Sequence, residues 1–149
     1  MVKKFLLLGV VLIMGLCIST GCSSVQAIEF RVGTASWTGK GKTITKIIGS
    51  LDDFRDSDIV EVVEFDKKYD DSFFNDNALL IIAFNTTSGG SEVRDIVVER
   101  SGNRIEVELN GVFGTTTVMS GVIVVLEVKK DDVLGVTSIN FTTNLPKAR

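Results

Sequence analysis

The chain has 149 residues, 16 of them Lys or Arg and 19 Asp or Glu, with no histidine, two cysteines and one proline. The lack of histidine excludes every His-based catalytic triad and every metal site that needs imidazole. The acidic balance argues against nucleic acid, whose binding rests on clustered Lys and Arg.

The first element is a leader. Lys3 and Lys4 are followed by the apolar run Phe5–Leu16 and then Ile18-Ser19-Thr20-Gly21-Cys22. A positive start, a short apolar stretch and small residues are the parts of an export signal. The run is too short for a spanning helix, which needs about 20 apolar residues. The segment resembles the lipobox of bacterial lipoproteins, with cleavage between Gly21 and Cys22. Ser19 stands where the pattern prefers Leu, and Cys17 is a poor rival because bulky Leu16 precedes it. The resemblance implies a diacylglycerol on Cys22, and two fatty chains suffice for stable attachment to a membrane. Residues 1–21 hold two lysines and no acid, so the remaining chain carries 14 basic and 19 acidic residues. Cys22 is then its single cysteine, which leaves no disulfide within the domain.

Residues 22–42 read as the lipidated cysteine, a tether over Ser23–Ala27, a first strand over Ile28–Val32 and a Gly/Ser/Thr-rich loop containing Trp37. Thr43–Ile48 is β-branched and reads as a strand. Ser50 is a helix cap with Asp53 three residues on, and Leu51 and Phe54 face inward. This helix is expected to end near Ser57, with an extended stretch over Ile59–Phe65. Tyr69–Asn77 reads as one or two helical turns. The unbroken apolar run Ala78–Phe84 predicts a strand covered on both faces.

Asn85–Ser91 is a turn and Glu92–Arg100 a strand. Ser101-Gly102-Asn103 signals a hairpin. Arg104–Leu109 alternates, with Ile105, Val107 and Leu109 on one face and Arg104, Glu106 and Glu108 on the other, which predicts one wet side. Gly111–Thr117 is a loop. Val118–Val128 is a second apolar strand in which Gly121 suggests a bulge or bend. Val133–Phe141 closes the sheet before a polar tail over 144–149. The fold class expected is mainly β (α+β): an antiparallel meander, a small sandwich or a half-barrel, with one or two short helices, spanning 43–143 behind the signal peptide.

Lys68-Tyr69-Asp70-Asp71-Ser72-Phe73-Phe74-Asn75-Asp76-Asn77-Ala78-Leu79-Leu80-Ile81-Ile82 resembles a block of the PrcB-like bacterial lipoproteins. Ser50-Leu51-Asp52-Asp53-Phe54 upstream and Leu126-Glu127-Val128-Lys129-Lys130 downstream fit the same plan, so the resemblance covers roughly 44–141. It implies a non-catalytic envelope lipoprotein that binds or stabilises another exported protein, a protease in the namesake's case. Phe73, Phe74, Asn77 and Leu79 read as fold-defining. Phe73 and Phe74 are expected to pack on Leu80 and Ile82. Asn77 is expected to close the helix in the left-handed conformation, and Tyr69 to bury its ring with the hydroxyl at the edge.

Residues 51–76 hold ten acids against Arg55, Lys67 and Lys68, a local net charge of −7. Solvated faces, a docking patch for a basic partner and an irregular calcium site are the readings open to it. A regular twelve-residue calcium loop from Asp66 fails, because Lys68, Asp71 and Asn77 occupy positions that need other residues. Residues 36–43 imitate a phosphate loop but put Ser36 where glycine is required. Trp37, Tyr69, Asp70 and Asp71 are the candidate interaction residues. No residue is a candidate catalyst, and no metal or cofactor is expected. The function expected is a lipid-anchored interaction or stabilising subunit on the extracytoplasmic face of the cell membrane, its partners membrane lipid through Cys22 and an exported protein. The alternative is a solute- or glycan-binding lipoprotein module, which would need an aromatic-lined pocket near Trp37 or Tyr69.

Overall fold

The computed structural model describes residues 24–37, 42–57, 59, 63–65 and 68–147, so the leader, Gly21 and Cys22 lie outside the described residues. The elements are β1 (Gln26–Ala27), β2 (Phe30–Val32), β3 (Ala35–Trp37), β4 (Ile44–Ile48), α1 (Leu51–Arg55), β5 (Val63–Phe65), α2 (Phe73–Asp76), β6 (Asn77–Thr86), β7 (Glu92–Ser101), β8 (Arg104–Val112), β9 (Ser120–Lys129), α3 (Lys130–Val133) and β10 (Ser138–Thr143). The protein is mainly β with a few short helices, as the residue patterns predict. Two four-stranded sheets, ordered β1-β7-β8-β10 and β2-β9-β6-β4, form a sandwich, with β3 and β5 as a separate pair.

β6 is the strand with no wet side. Every residue from Ala78 to Thr86 is buried, which places it inside its sheet, between β9 and β4. Side chains alternate along a strand, so its two faces enter different cores. Ala78, Leu80, Ile82 and Phe84 join Val98, Ile105, Val107, Leu109 and the even-numbered residues Val122–Val128 between the sheets. Leu79 and Ile81 point outward, to a second core with Ile48, Ile59, Tyr69, Phe74 and Val125. α1, α2 and Trp37 cover this outer face. Phe73 and Phe74 therefore pack on the Leu79/Ile81 face and not on Leu80 and Ile82. α2 runs straight into β6 at Asn77, and the turn folds back onto the face that the inner sheet leaves free.

The strands after residue 77 do not meander. β6 pairs over its full length with β9, and the β7–β8 hairpin between them belongs to the opposite sheet. The alternation of β8 explains this. Ile105, Val107 and Leu109 are buried while Arg104 and Glu108 are exposed, so the hairpin has one apolar face to lay over β6 and β9. Gly102 takes φ +61° at the hairpin tip, where the tight two-residue turn needs a positive angle. β10 then returns beside β8 in parallel, and Asn144 extends the edge by exchanging two side-chain hydrogen bonds with the Gly111 backbone (2.9 and 3.2 Å).

The N-terminal segment is built into both sheets. Gln26 and Ala27 pair with Arg100 and Glu99, and Phe30–Val32 with Leu126–Val128. Ile28, between them, is buried and donates its N–H to the Val98 carbonyl (2.9 Å). The stretch read as tether thus shortens to the residues before Gln26. Leu145, in the stretch read as a polar tail, is buried in the inter-sheet core.

Candidate binding surfaces

The residue block 68–77 is held on the outer face by side chains from the far end of the chain. Tyr69 is buried, and its hydroxyl donates to Glu127 Oε1 at 2.9 Å. Lys68 Nζ reaches the same oxygen at 2.7 Å and lies 4.9 Å from the Tyr69 ring centroid. Burial, then the Glu127 carboxylate, pushes the Tyr69 hydroxyl pKa upward. The hydrogen bond to Glu127 raises that of Lys68. The outer face of β9 runs Gly121, Ile123, Val125, Glu127, and the one acid in that series is the one that meets Lys68 and Tyr69. A Cβ at Gly33 would overlap the Tyr69 hydroxyl, so glycine here lets the chain leaving β2 pass beneath the ring without displacing it.

The neighbouring residues are structural as well. Asp70 Oδ1 accepts from the Phe73 N–H at 3.0 Å and so caps the turn entering α2. Tyr69, Phe73 and Phe74 form two edge-on ring contacts, at 4.9 and 5.1 Å. Asn77 is not left-handed. It has φ −124° and ψ 162°, because β6 starts at that residue. Its side-chain amide closes the helix instead, donating to the Phe73 carbonyl at 3.1 Å. Lys130 Nζ takes the Phe74 carbonyl at 2.9 Å. Of the four candidate interaction residues, Asp71 is exposed and makes no contact of this kind among the described residues.

Trp37 lies in a short strand, not in a loop, and its ring covers Gly121. A Cβ there would sit 2.6 Å from Trp37 Cε3. Gly121 thus marks a seat for the indole. The register of β9 with β6 passes through it without a bulge. Trp37 Nε1 is buried and has no hydrogen-bond partner among the described residues.

The described acids of 51–76 do not converge. Asp53 closes the α1 cap, accepting from Gly49 N–H (3.1 Å) while Ser50 Oγ accepts from Asp53 N–H (2.9 Å). Asp52 pairs with Arg55 at 3.1 Å on the open surface. Asp58, Glu61 and Asp66 lie outside the described residues. Among the described residues no three acidic, cysteine or histidine side chains are placed to hold a metal ion. No described helix is long and apolar enough to cross a membrane.

Two surface features were not legible in the sequence. One is the exposed apolar cluster carried by the loop between β8 and β9. Ser88 Oγ donates to Gly114 O (2.6 Å), Gly114 N–H to Ser91 Oγ (3.1 Å) and Gly89 N–H to Thr116 O (3.0 Å). The loop so pinned leaves Val112, Phe113, Val118 and Met119 between 45% and 68% exposed. The other is a groove of about 430 Å³ at one side of the sandwich, between the first halves of β7 and β9. A second groove, about 630 Å³, lies at the opposite side between β4 and β10. No aromatic ring lines either groove.

The chain matches no family model, and no curated protein or solved structure is significantly similar to it.

Proposed function

We propose that the protein is a lipoprotein anchored through Cys22 on the extracytoplasmic face of the membrane, where it serves as a non-catalytic interaction or stabilising subunit for another exported protein. A protease is the partner class suggested by the resemblance of residues 68–82.

The observation that carries this reading is where the exposed apolar loop lies relative to the anchor. Only three residues separate Cys22 from Gln26, four steps of chain with a reach of at most about 14 Å. Gln26 pairs with Arg100, near the hairpin tip, and β1 runs antiparallel to β7, so the chain backs out at that end. Val112 pairs with Glu92, eight residues back along β7, about 27 Å away at the rise of a strand. Val112, Phe113, Val118 and Met119 therefore sit at the end remote from the anchor. Apolar groups gathered there suit a protein partner better than the lipid surface.

The test is made in cells. Labelled fatty acid is expected on the wild-type chain, with processing blocked by globomycin, and neither on Cys22→Ser. Crosslinked, purified protein is expected to carry an exported protein that Phe113→Asp loses. A wild-type chain without lipid, or without any exported protein after crosslinking, overturns the reading.

A further inference from the structure

β9 lies beside β2 for only part of its length. β2 pairs with Leu126–Val128, and Gly33 N–H adds one bond to Val125 O at 2.8 Å. After Gly33 the chain leaves the edge and crosses the outer face, where Trp37 covers Gly121. From Ser120 to Val124 no described strand lies beside β9 on that side. Peptide groups alternate sides along a strand. Since the Val125 carbonyl faces this edge, those of Ile123 and Gly121 face it too.

On the same side of the other sheet β1 pairs with Glu99 and Arg100 of β7, Ile28 N–H adds one bond to Val98 O, and no described strand lies beside the first half of β7. The groove of about 430 Å³ lies between these two half-edges, walled by Val93 and Ile96 on one side and by Val122 and Val124 on the other.

The exposed edges differ in how they are protected. Natural sheets blunt free edges with charges, proline or bulges. β4 carries Lys46 and β10 is polar. β7 has Glu92, Arg94 and Asp95 and a register shift between Val93 and Asp95. Ser120–Val125 has no charge, no proline and no bulge.

We propose that this half-edge of β9 is a strand-docking site, which takes an extended apolar segment of the exported partner as an added strand in line with β2. The inference rests on the reading of the protein as an interaction subunit and adds, next to the apolar loop that ends at Met119, a second surface for the same partner. β2 already shows how a strand seats on this edge. The occupant hydrogen-bonds to Gly121 and Ile123 and turns alternate side chains into the groove. The free stretch runs five residues, from Ser120 to Val124, and strands lie about 4.8 Å apart, so one short strand fills it.

The experiment places a photo-crosslinking residue at Val32 or Arg94 on the groove, at Phe113 on the distal loop, or at Thr45 on the opposite edge, in the full-length protein in its cells. Crosslinks from Val32 and Arg94 to one contiguous segment of an exported protein are expected. Val32→Lys is expected to weaken the Arg94 crosslink about tenfold, while Val32→Thr preserves it. Crosslinks from Phe113 or Thr45 alone overturn the edge site and leave the interaction reading standing. Crosslinks only to a second copy of this chain overturn the proposed occupant. No crosslink to an exported protein from any position overturns the interaction reading and the edge site with it.

Discussion

The Tyr69 hydroxyl donates to Glu127 Oε1 at 2.9 Å, across 58 positions of sequence. The contact joins the residue block before β6 to the outer face of β9, and Lys68 shares the same oxygen. It is the polar seam of a core that is otherwise apolar.

This seam has a signature at alkaline pH. The hydroxyl and the Lys68 ammonium both hold their protons more tightly in the folded chain. The stability they contribute is thus complete below about pH 10 and is lost as pH rises through the folded values. Lys68 is about half exposed, so solvent screening makes its share small. Tyr69 is the sole tyrosine, which lets tyrosinate absorbance report on it alone. The native midpoint is expected above 10.0, the ordinary value, and above that of the chain unfolded in guanidinium. Coincident midpoints would show that the hydroxyl is not held against Glu127.

Gly33 and Tyr69 are expected to be coupled. Tyr69→Phe removes a partly buried hydrogen bond to a carboxylate and should cost about 1–2 kcal/mol. Gly33→Ala puts a methyl where the hydroxyl lies, at a cost of about 1–3 kcal/mol. In the Tyr69→Phe background the clash partner is gone, so Gly33→Ala should cost distinctly less. Urea midpoints of the four proteins measure the coupling, and strict additivity would mean the two sites do not touch.

Gly121→Ala should lift the Trp37 ring from β9. The added methyl has to displace the indole, at about 1–3 kcal/mol. Trp37 is the only tryptophan, and its emission is expected to shift to the red as the ring gains solvent. An unchanged spectrum would place the ring elsewhere.

Phe74 is buried and Phe73 half-buried. Phe74→Ala is expected to cost about 3–5 kcal/mol and Phe73→Ala about 2 kcal/mol. Thermal or urea unfolding checks the order, and the reverse order would mean that α2 presents its other face to β6.

The strand pattern was legible because local chemistry and burial agree. The run Ala78–Phe84 could only be a strand covered on both faces, and the alternation of Arg104–Leu109 could only be a half-wet one. Ser50 and Asp53 cap α1 through bonds spanning three or four residues, which sequence spacing reveals. The position of Gly121 was misleading for the opposite reason. Its small size answers to Trp37, more than eighty positions earlier, and no window along the chain includes both. Phe73 and Phe74 meet Leu79 and Ile81 in place of the expected Leu80 and Ile82, because apolar content does not tell which face of a doubly buried strand the preceding turn will meet.

By itself, then, the sequence determined the β class, the hairpin at Gly102, the caps and the charges, all set by neighbouring residues and by periodicity. The tertiary structure alone decided that β6 pairs with β9, that Glu127 meets Tyr69, and that β2 stops short, so that no described strand lies on that side of the first half of β9. Strand order and edge coverage depend on which faces find each other across long stretches of chain. That selection is made by packing and carries no local signal.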